Sequence, residues 1–351
     1  MINHLSNLCV LTLFSLLLFA CSNNDQSSAQ EEQSTPKKEY PVWENVTVEV
    51  LDPALEEIVA KNPLVQKLGE GYAWSEGPVW VEEHQMLLFS DVPENVVHRW
   101  DEEGGVRPYL RPSGYTGEGS YSREPGSNGI TVDSDGQLLL CQHGNRVVAR
   151  MDAPLTAPEP IFINLAENYQ GKRFNSPNDL CLSSGGYLYF TDPPYGLPKQ
   201  EKSESKEIDF QGVYRWHPDH GVELVYDGLS RPNGIALSED ERHLYVANSD
   251  GGKAVWMVFD LDENDEVSNG RIFYDATPAL ETEKGLPDGL KVDSEGNIFA
   301  TGPGGIWVFN RDLKLIGKIK VGKAMANCEI DEKGKWLYIT ADDYLLRVKL
   351  L

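Results

Sequence analysis

The 351-residue sequence predicts an all-β chain folded as a six-bladed β-propeller, and three observations lead there. A polar residue followed two and four positions later by apolar ones recurs at Glu76 (EGPVWV), Asn128 (NGITVD), Asn178 (NDLCLS), Asn233 (NGIALS) and Asp288 (DGLKVD), with a weaker copy, ANCEID, from Ala326. The starts lie 52, 50, 55, 55 and 38 residues apart, the length of one four-stranded blade with its loops. Each copy runs into a turn such as DSDG, SSGG, DSEG or DEKG and then a second β-rich run (QLLLCQH, YLYFTD, NIFATG, WLYITA), which reads as a hairpin because Gly and Asn tolerate the positive φ of tight reversals. Finally, no stretch carries a long amphipathic helical period, DPALEEIVAKN from Asp52 being the one candidate.

A third run follows in most copies, as in VVHRWD, RVVARMD, GVYRWHP, AVWMVFD and GIWVFN. The last run, LLRVKLL, reaches the C-terminus, so a strand before Glu76, in VQKLGEG, is placed to close the ring against the final blade and remove open sheet edges.

The bulk numbers restrict partners. With 55 Asp+Glu against 31 Lys+Arg and a formal charge of −24, the chain lacks the cations that displace counterions from nucleic acid. Metal cations and neutral or cationic small molecules suit it better. Residues 1–20 read as a lipoprotein-type signal peptide: the apolar run Leu8–Ala20 is short for a membrane span and ends in LLFACS, which resembles a bacterial lipobox. No Lys or Arg precedes that run. The resemblance implies cleavage before Cys21, a lipid on its thiol, and an exported protein anchored in the bacterial cell envelope on its periplasmic or outer-surface side. Residues 21–45 are too polar to bury a core and read as a tether, leaving 46–351 for the catalytic propeller, expected as a monomer. Cys141, Cys181 and Cys328 lie in strand-like runs and read as small buried hydrophobes, an odd set for a disulfide framework.

In a propeller the first strand of each blade lines the central channel, so the residues that open these strands converge at one mouth. The ends of the second strands, Asp91, His143, Asp192 and Asn248, return to that mouth and are expected on its rim. Glu76 and Asp288 bring two negative charges and Asn178 and Asn233 two neutral carbonyl oxygens, a set that neutralises a divalent cation with hard ligands. Those are the preferences of calcium, whose 6 to 8 oxygen ligands leave room for water and substrate. Zinc prefers His or Cys ligands, and magnesium a tighter octahedron than a wide channel offers. A single Asn-Gly or Asp-Gly is an ordinary turn dipeptide; Glu76, a poor turn residue, in register with them favours a shared function.

The segments EGPVW, SNGITVD with CQHGNRVVARMD, NSPNDLCLSSGGYLYFTDPPYGL, RPNGIALSEDERHLYVANSD, LPDGLKVDSEGNIFATGPGGIWVF and ANCEIDEKGKWLYITA together resemble the SMP-30/gluconolactonase/LRE-like group of six-bladed calcium propellers, from Gly69 to Leu351. SPND…YFTDPPYGL resembles its bacterial gluconolactonase branch. The resemblance implies a metal held by Glu76, Asn178, Asn233 and Asp288, calcium first with other divalent cations able to substitute, and Asp179 as the general base. It implies hydrolysis of a small sugar-type lactone such as gluconolactone. Where the animal branch has an arginine, two residues before Asn178, this chain has Ser176, so Arg173 or Arg146 would have to supply a guanidinium.

For Asp179 a second role is open, orienting Asn178. His143 is either a proton shuttle, a donor to a substrate hydroxyl, or a rim histidine satisfied by backbone. Asn128 is assigned to substrate contact, with turn formation as its other reading. The charged insertion 197–212 either covers the pocket or is solvated. Two alternatives to a lactonase stand: a phosphotriester or fluorophosphate hydrolase on the same metal, and a non-catalytic binding propeller.

Overall fold

The computed structural model describes residues 38–351; the expected signal peptide, Cys21 and most of the expected tether lie outside the described residues. Six antiparallel sheets follow one another round a ring, each wound from an inner to an outer strand. Blade 1 comprises Ser75–Val81, Met86–Asp91, Val96–Asp101 and Gly105–Leu110, and blade 2 Ser127–Val132, Leu138–Gln142, Val147–Met151 and Phe162–Ala166. Blade 3 is Leu180–Leu182, Leu188–Asp192, Gln211–His217 and Gly221–Leu229; blade 4 is Pro232–Leu237, His243–Asn248, Val255–Leu261 and Val267–Asp275. Blade 5 runs Leu290–Val292, Ile298–Gly302, Gly305–Phe309 and Leu315–Lys320, where Thr47–Val50 adds a fifth strand at the outer edge.

Blade 6 takes only three strands from the C-terminal part, Asn327–Ile330, Trp336–Ala341 and Tyr344–Lys349. Its outermost strand is Val65–Glu70, paired antiparallel with the last strand from Val65↔Val348 to Glu70↔Tyr344. The expected closure is thus the one observed. The expected helix from Asp52 shrinks to a 3-10 turn, Pro53–Glu57, capped by Asp52 Oδ1 accepting from Ala54 N at 3.0 Å. Two apolar anchors, Leu55 and Val59, both 0% exposed, dock it on the core of blades 5 and 6, too few to stabilise a longer helix.

The core lies between blades. Inward faces alternate along each strand, so every blade presents apolar side chains to both neighbours. Blades 2 and 3 meet through Phe174, Phe190 and Tyr214; blades 4 and 5 through Trp256, Trp307 and Phe309; the closing joint through Trp80 stacked on Tyr338 at 5.4 Å. Cys141 and Cys328 are fully buried and Cys181 half-buried, all as free thiols.

At the channel the inner strands touch backbone to backbone. Gly129 N donates to Asn178 O at 2.7 Å and Gly289 N to Ala326 O at 2.8 Å. Thr191 Oγ1 donates to Asn233 O at 2.7 Å, and Thr301 Oγ1 to Ala326 O at 3.0 Å. This packing leaves no room for a side chain after the polar residue: a Cβ on Gly234 would collide with the Asp288 carbonyl of the next blade. Gly234→Ala is therefore expected to lower stability by about 1–3 kcal/mol, as overpacking does, measured as the loss in chemical unfolding of the purified chain.

Candidate functional site

The side chains of Glu76, Asn128, Asn178, Asn233 and Asp288, spread over more than two hundred residues of chain, line one cavity of about 390 Å³ at the channel mouth. Ala326 holds the sixth place, its N–H donating to Thr340 O at 3.0 Å as Asn178 N does to Thr191 O at 2.8 Å. Three larger hollows, of about 780, 680 and 580 Å³, lie elsewhere. The one of about 780 Å³, between Trp80, Arg99, Trp336 and Arg347, has its charges already paired: Arg99 and Arg107 with Asp101, Arg347 with Glu102. We place the chemistry in the smaller cavity, where the carboxylates of Glu76 and Asp288 have no ion-pair partner among the described residues.

Hydrogen bonds around the cavity engage the nitrogen end of each carboxamide. Asn233 Nδ2 donates to Ser249 Oγ at 2.9 Å, and Ser249 in turn donates to the Pro287 carbonyl. Asn178 Nδ2 lies 3.3 Å from His143 Nε2. With both amide nitrogens engaged, the carboxamide oxygens are the ends left for a ligand. Asn178 Oδ1 and Asp288 Oδ1 are buried and have no hydrogen-bond partner in the protein, an expensive state for a polar atom unless something else satisfies it. Glu76, 3% exposed, accepts from Gly77 N at 3.1 Å and from Trp74 Nε1 at 3.4 Å.

The electrostatics agree. Burial pushes Glu76 up to about 8, with Asp179 and Glu124 adding to the rise and the Gly77 N–H opposing it. Asp288 is held well above the carboxylate range by burial first and then by Glu76, Asp179 and Glu124. Two carboxylates and two carboxamide oxygens converge without a cation from the chain to balance them. They fit a hard divalent cation, and calcium better than zinc, because none of the four ligands is nitrogen or sulfur. Half of the set is carboxamide, and no group of three His, Cys, Asp or Glu side chains among the described residues is arranged to hold a metal.

The remaining expected residues fall behind this wall. Asp179, 2% exposed, lies in the next layer down the channel: its Oδ1 accepts from Leu180 N at 3.0 Å, and its Oδ2 is 3.5 Å from Asn327 Nδ2. It does not line the cavity. His143 is 0% exposed behind Asn178, and burial depresses it to about 3, so its ring is neutral. Its place is against the Asn178 amide.

The other three second-strand ends lie beside the first-strand openings, as the pairs Ser75↔Asp91 and Pro232↔Asn248 show, and their side chains serve the backbone there. Asp91 accepts from Ala73 and Trp74 N–H, both at 3.1 Å, Asp192 from Asn175 and Ser176 N–H, both at 2.8 Å, and Asn248 Oδ1 from Arg231 N at 2.8 Å. Each clamps the loop that enters the inner strand of its own blade. Nor does Arg146 or Arg173 supply a guanidinium. Arg146, 1% exposed, donates to the carbonyls of Phe174 and Ser205, and Arg173 to that of Asn145. Ser176 is buried, donating to Pro193 O at 2.5 Å.

Sequence reasoning missed Trp74, Glu124, Tyr195, Arg231 and Ser249 on the cavity wall. Tyr195 and Arg231 sit inside quoted motifs, PPYG and RPNG, and their distance from the repeat position hid them. Glu124 belongs to the connection between blades 1 and 2, which carries no repeat signal. Burial raises it to about 7, and its Oε2 lies 3.9 Å from His143 Nδ1.

A pH test follows. Folding raises the affinity of Glu76 for its proton from the ordinary 4.5 to about 8, so the folded chain binds more protons than the unfolded one across that interval and stability falls as pH rises through it. In chelator, the thermal midpoint is expected to drop between pH 5 and pH 8. With excess calcium the drop should shrink, because a bound cation favours the ionised carboxylates; identical slopes with and without calcium would argue against a cation at this cluster.

Residues 74–343 match the family described as SMP-30/Gluconolactonase/LRE-like region. A gluconolactonase of Zymomonas mobilis is 41% identical over 303 residues, covering 85% of this chain and 84% of that protein. Human regucalcin is 26% identical over 283 residues, covering 78% and 84%. The solved structure of a gluconolactonase from Xanthomonas campestris superposes with a TM-score of 0.77 at 30% identity, covering 90% of this chain and 99% of its own. Six blades, a channel-mouth cavity and a match running through all of them make this chain a member of the SMP-30/gluconolactonase/LRE-like family.

Proposed function

We propose that the protein is a calcium-dependent hydrolase that opens a small sugar-type lactone, gluconolactone being the reference substrate. The kinship with the Zymomonas and Xanthomonas gluconolactonases supports the lactone. The observation that carries the metal is the buried pair of unpartnered oxygens, Asn178 Oδ1 and Asp288 Oδ1, beside Glu76. Glu76, Asn178, Asn233 and Asp288 would hold the ion. When bound, calcium supplies a Lewis acid for the lactone carbonyl and for the negative charge that grows on its oxygen during attack by water.

The chain's own side chains do the rest. Ser249 and His143 engage the nitrogens of the two carboxamides, leaving the oxygens for the ion. Asn128, 4% exposed on the cavity wall, contacts the substrate. Asp179 is the proposed proton acceptor for the attacking water, reaching it from the layer beneath Asn178. The position of Glu124 favours a second reading of this step, since Glu124 lines the cavity itself and its raised affinity for a proton suits a base working near neutral pH. Export and an anchor on Cys21 complete the proposal, supported by the apolar run Leu8–Ala20 and LLFACS.

Exhaustive chelation should abolish gluconolactone opening in a pH-stat and added calcium restore it; full activity after chelation would remove the metal from the reaction. Asp179→Asn and Glu124→Gln separate the two bases. The acting base is the one whose variant loses about 10²–10⁴-fold in kcat while binding calcium as the parent does, and if neither variant loses turnover, both assignments fail.

A further inference from the structure

One basic side chain lines the cavity, Arg231. It stands two residues before Asn233, where its backbone N–H is held by Asn248 Oδ1 at 2.8 Å. Its side chain, about one-third exposed, does not turn to the buried carboxylates of Glu76 and Asp288. It forms an ion pair with Glu201 and lies over the ring of Tyr195, 5.5 Å from the centroid. Glu201 belongs to the charged insertion 197–212, so this insertion neither covers the pocket nor merely dissolves: it reaches across to the wall of blade 4 and braces a guanidinium. Tyr195, from the loop after the second strand of blade 3, lines the same cavity.

A guanidinium carries five N–H donors in a fixed plane. Nη2 donates to Glu201 Oε1 and the Tyr195 hydroxyl accepts from the guanidinium, which leaves further N–H donors without an acceptor among the described residues. Contact with Tyr195 and pairing with Glu201 hold the guanidinium in place in advance, so little side-chain freedom is lost when the other donors engage a ligand. Donors without acceptors at the edge of an acidic, oxygen-lined cavity call for a ligand that brings several oxygens of its own. Plain aliphatic lactones offer only the ester group, which the proposed ion site would occupy. Polyhydroxylated lactones offer hydroxyl oxygens around the ring.

We infer that Arg231 is a specificity-determining residue that donates to ring hydroxyls of a polyhydroxylated lactone, with Glu201 and Tyr195 as the positioning residues that hold its guanidinium in place. This rests on the lactone reading above and names the substrate feature it selects. A site built to hydrogen-bond a hydroxyl discriminates strongly against the analogue that lacks it, because its donors are then left unpaired.

The test compares glucono-1,5-lactone with δ-valerolactone in a pH-stat, using the full chain, Arg231→Met and Glu201→Gln. The parent should prefer the hydroxylated lactone in kcat/KM. In Arg231→Met that preference should fall by at least about tenfold, the loss appearing mainly in KM for gluconolactone. Glu201→Gln, which keeps the guanidinium and loosens it, should shift the preference in the same direction by less. Calcium titration of each variant controls for damage to the ion site. A parallel loss on both lactones, or an unchanged preference, overturns the assignment while leaving the lactone reading standing. A parent chain that opens neither lactone, with calcium bound, overturns both.

Discussion

Everything at the channel mouth depends on one pairing, that of Val65–Glu70 with Tyr344–Lys349. A strand from the N-terminal side completes the blade made by the C-terminal one, and the circle cannot open without breaking that ladder. Closed, the ring has no exposed inner edge and presses six inner strands against one another, so that the carbonyl of one blade accepts from the backbone or threonine hydroxyl of its neighbour. The close approach explains the small residue after the polar one at Gly77, Gly129, Gly234 and Gly289. At the two places where a side chain follows instead, Asp179 and Asn327, the side chains fill the channel one layer down and meet each other. Architecture and site share one geometry.

That geometry concentrates negative charge. Glu76 and Asp288 face each other with Asp179 beneath and Glu124 on the wall, and burial keeps their carboxyls well above the usual range. Of the basic residues nearby, Arg146 is engaged with carbonyls and Arg231 with Glu201, while Lys291 lies beside Glu329 and reaches only Asp179 of the cluster. A cluster left this way disfavours the folded state, since buried charge without a partner is costly. It supports a reading in which the balancing charge comes from outside the chain, and in which the protein keeps a locally unfavourable arrangement for the binding it allows.

Residues at equivalent places in the blades divide the labour between chemistry and construction. The first-strand openings face the cavity. The second-strand ends, equally polar, turn back to tie their own loops: Asp91 and Asp192 each accept two backbone N–H groups, and Asn248 fixes the backbone of Arg231. Three-dimensional convergence alone does not make a site; the orphaned oxygens distinguish the cavity wall from the scaffold around it.

Repeat spacing and hairpin punctuation were enough to read six blades, the closing strand and the register of Glu76, Asn128, Asn178, Asn233 and Asp288, because strand periodicity and turn chemistry are local and the ring multiplies them. Three kinds of information were not local. Whether a polar group such as Asp192 faces the cavity or a loop depends on which backbone N–H groups lie within 3 Å, and the linear pattern is the same in both cases. The helix expected at Asp52 was limited by how much core surface Leu55 and Val59 could find. Glu124, Tyr195 and Arg231 reach the wall from connections outside the repeat. Sequence alone determined the ring and the oxygen-bearing positions on it; the tertiary structure decided which of them point inward, because orientation is set by hydrogen-bond partners contributed from distant loops.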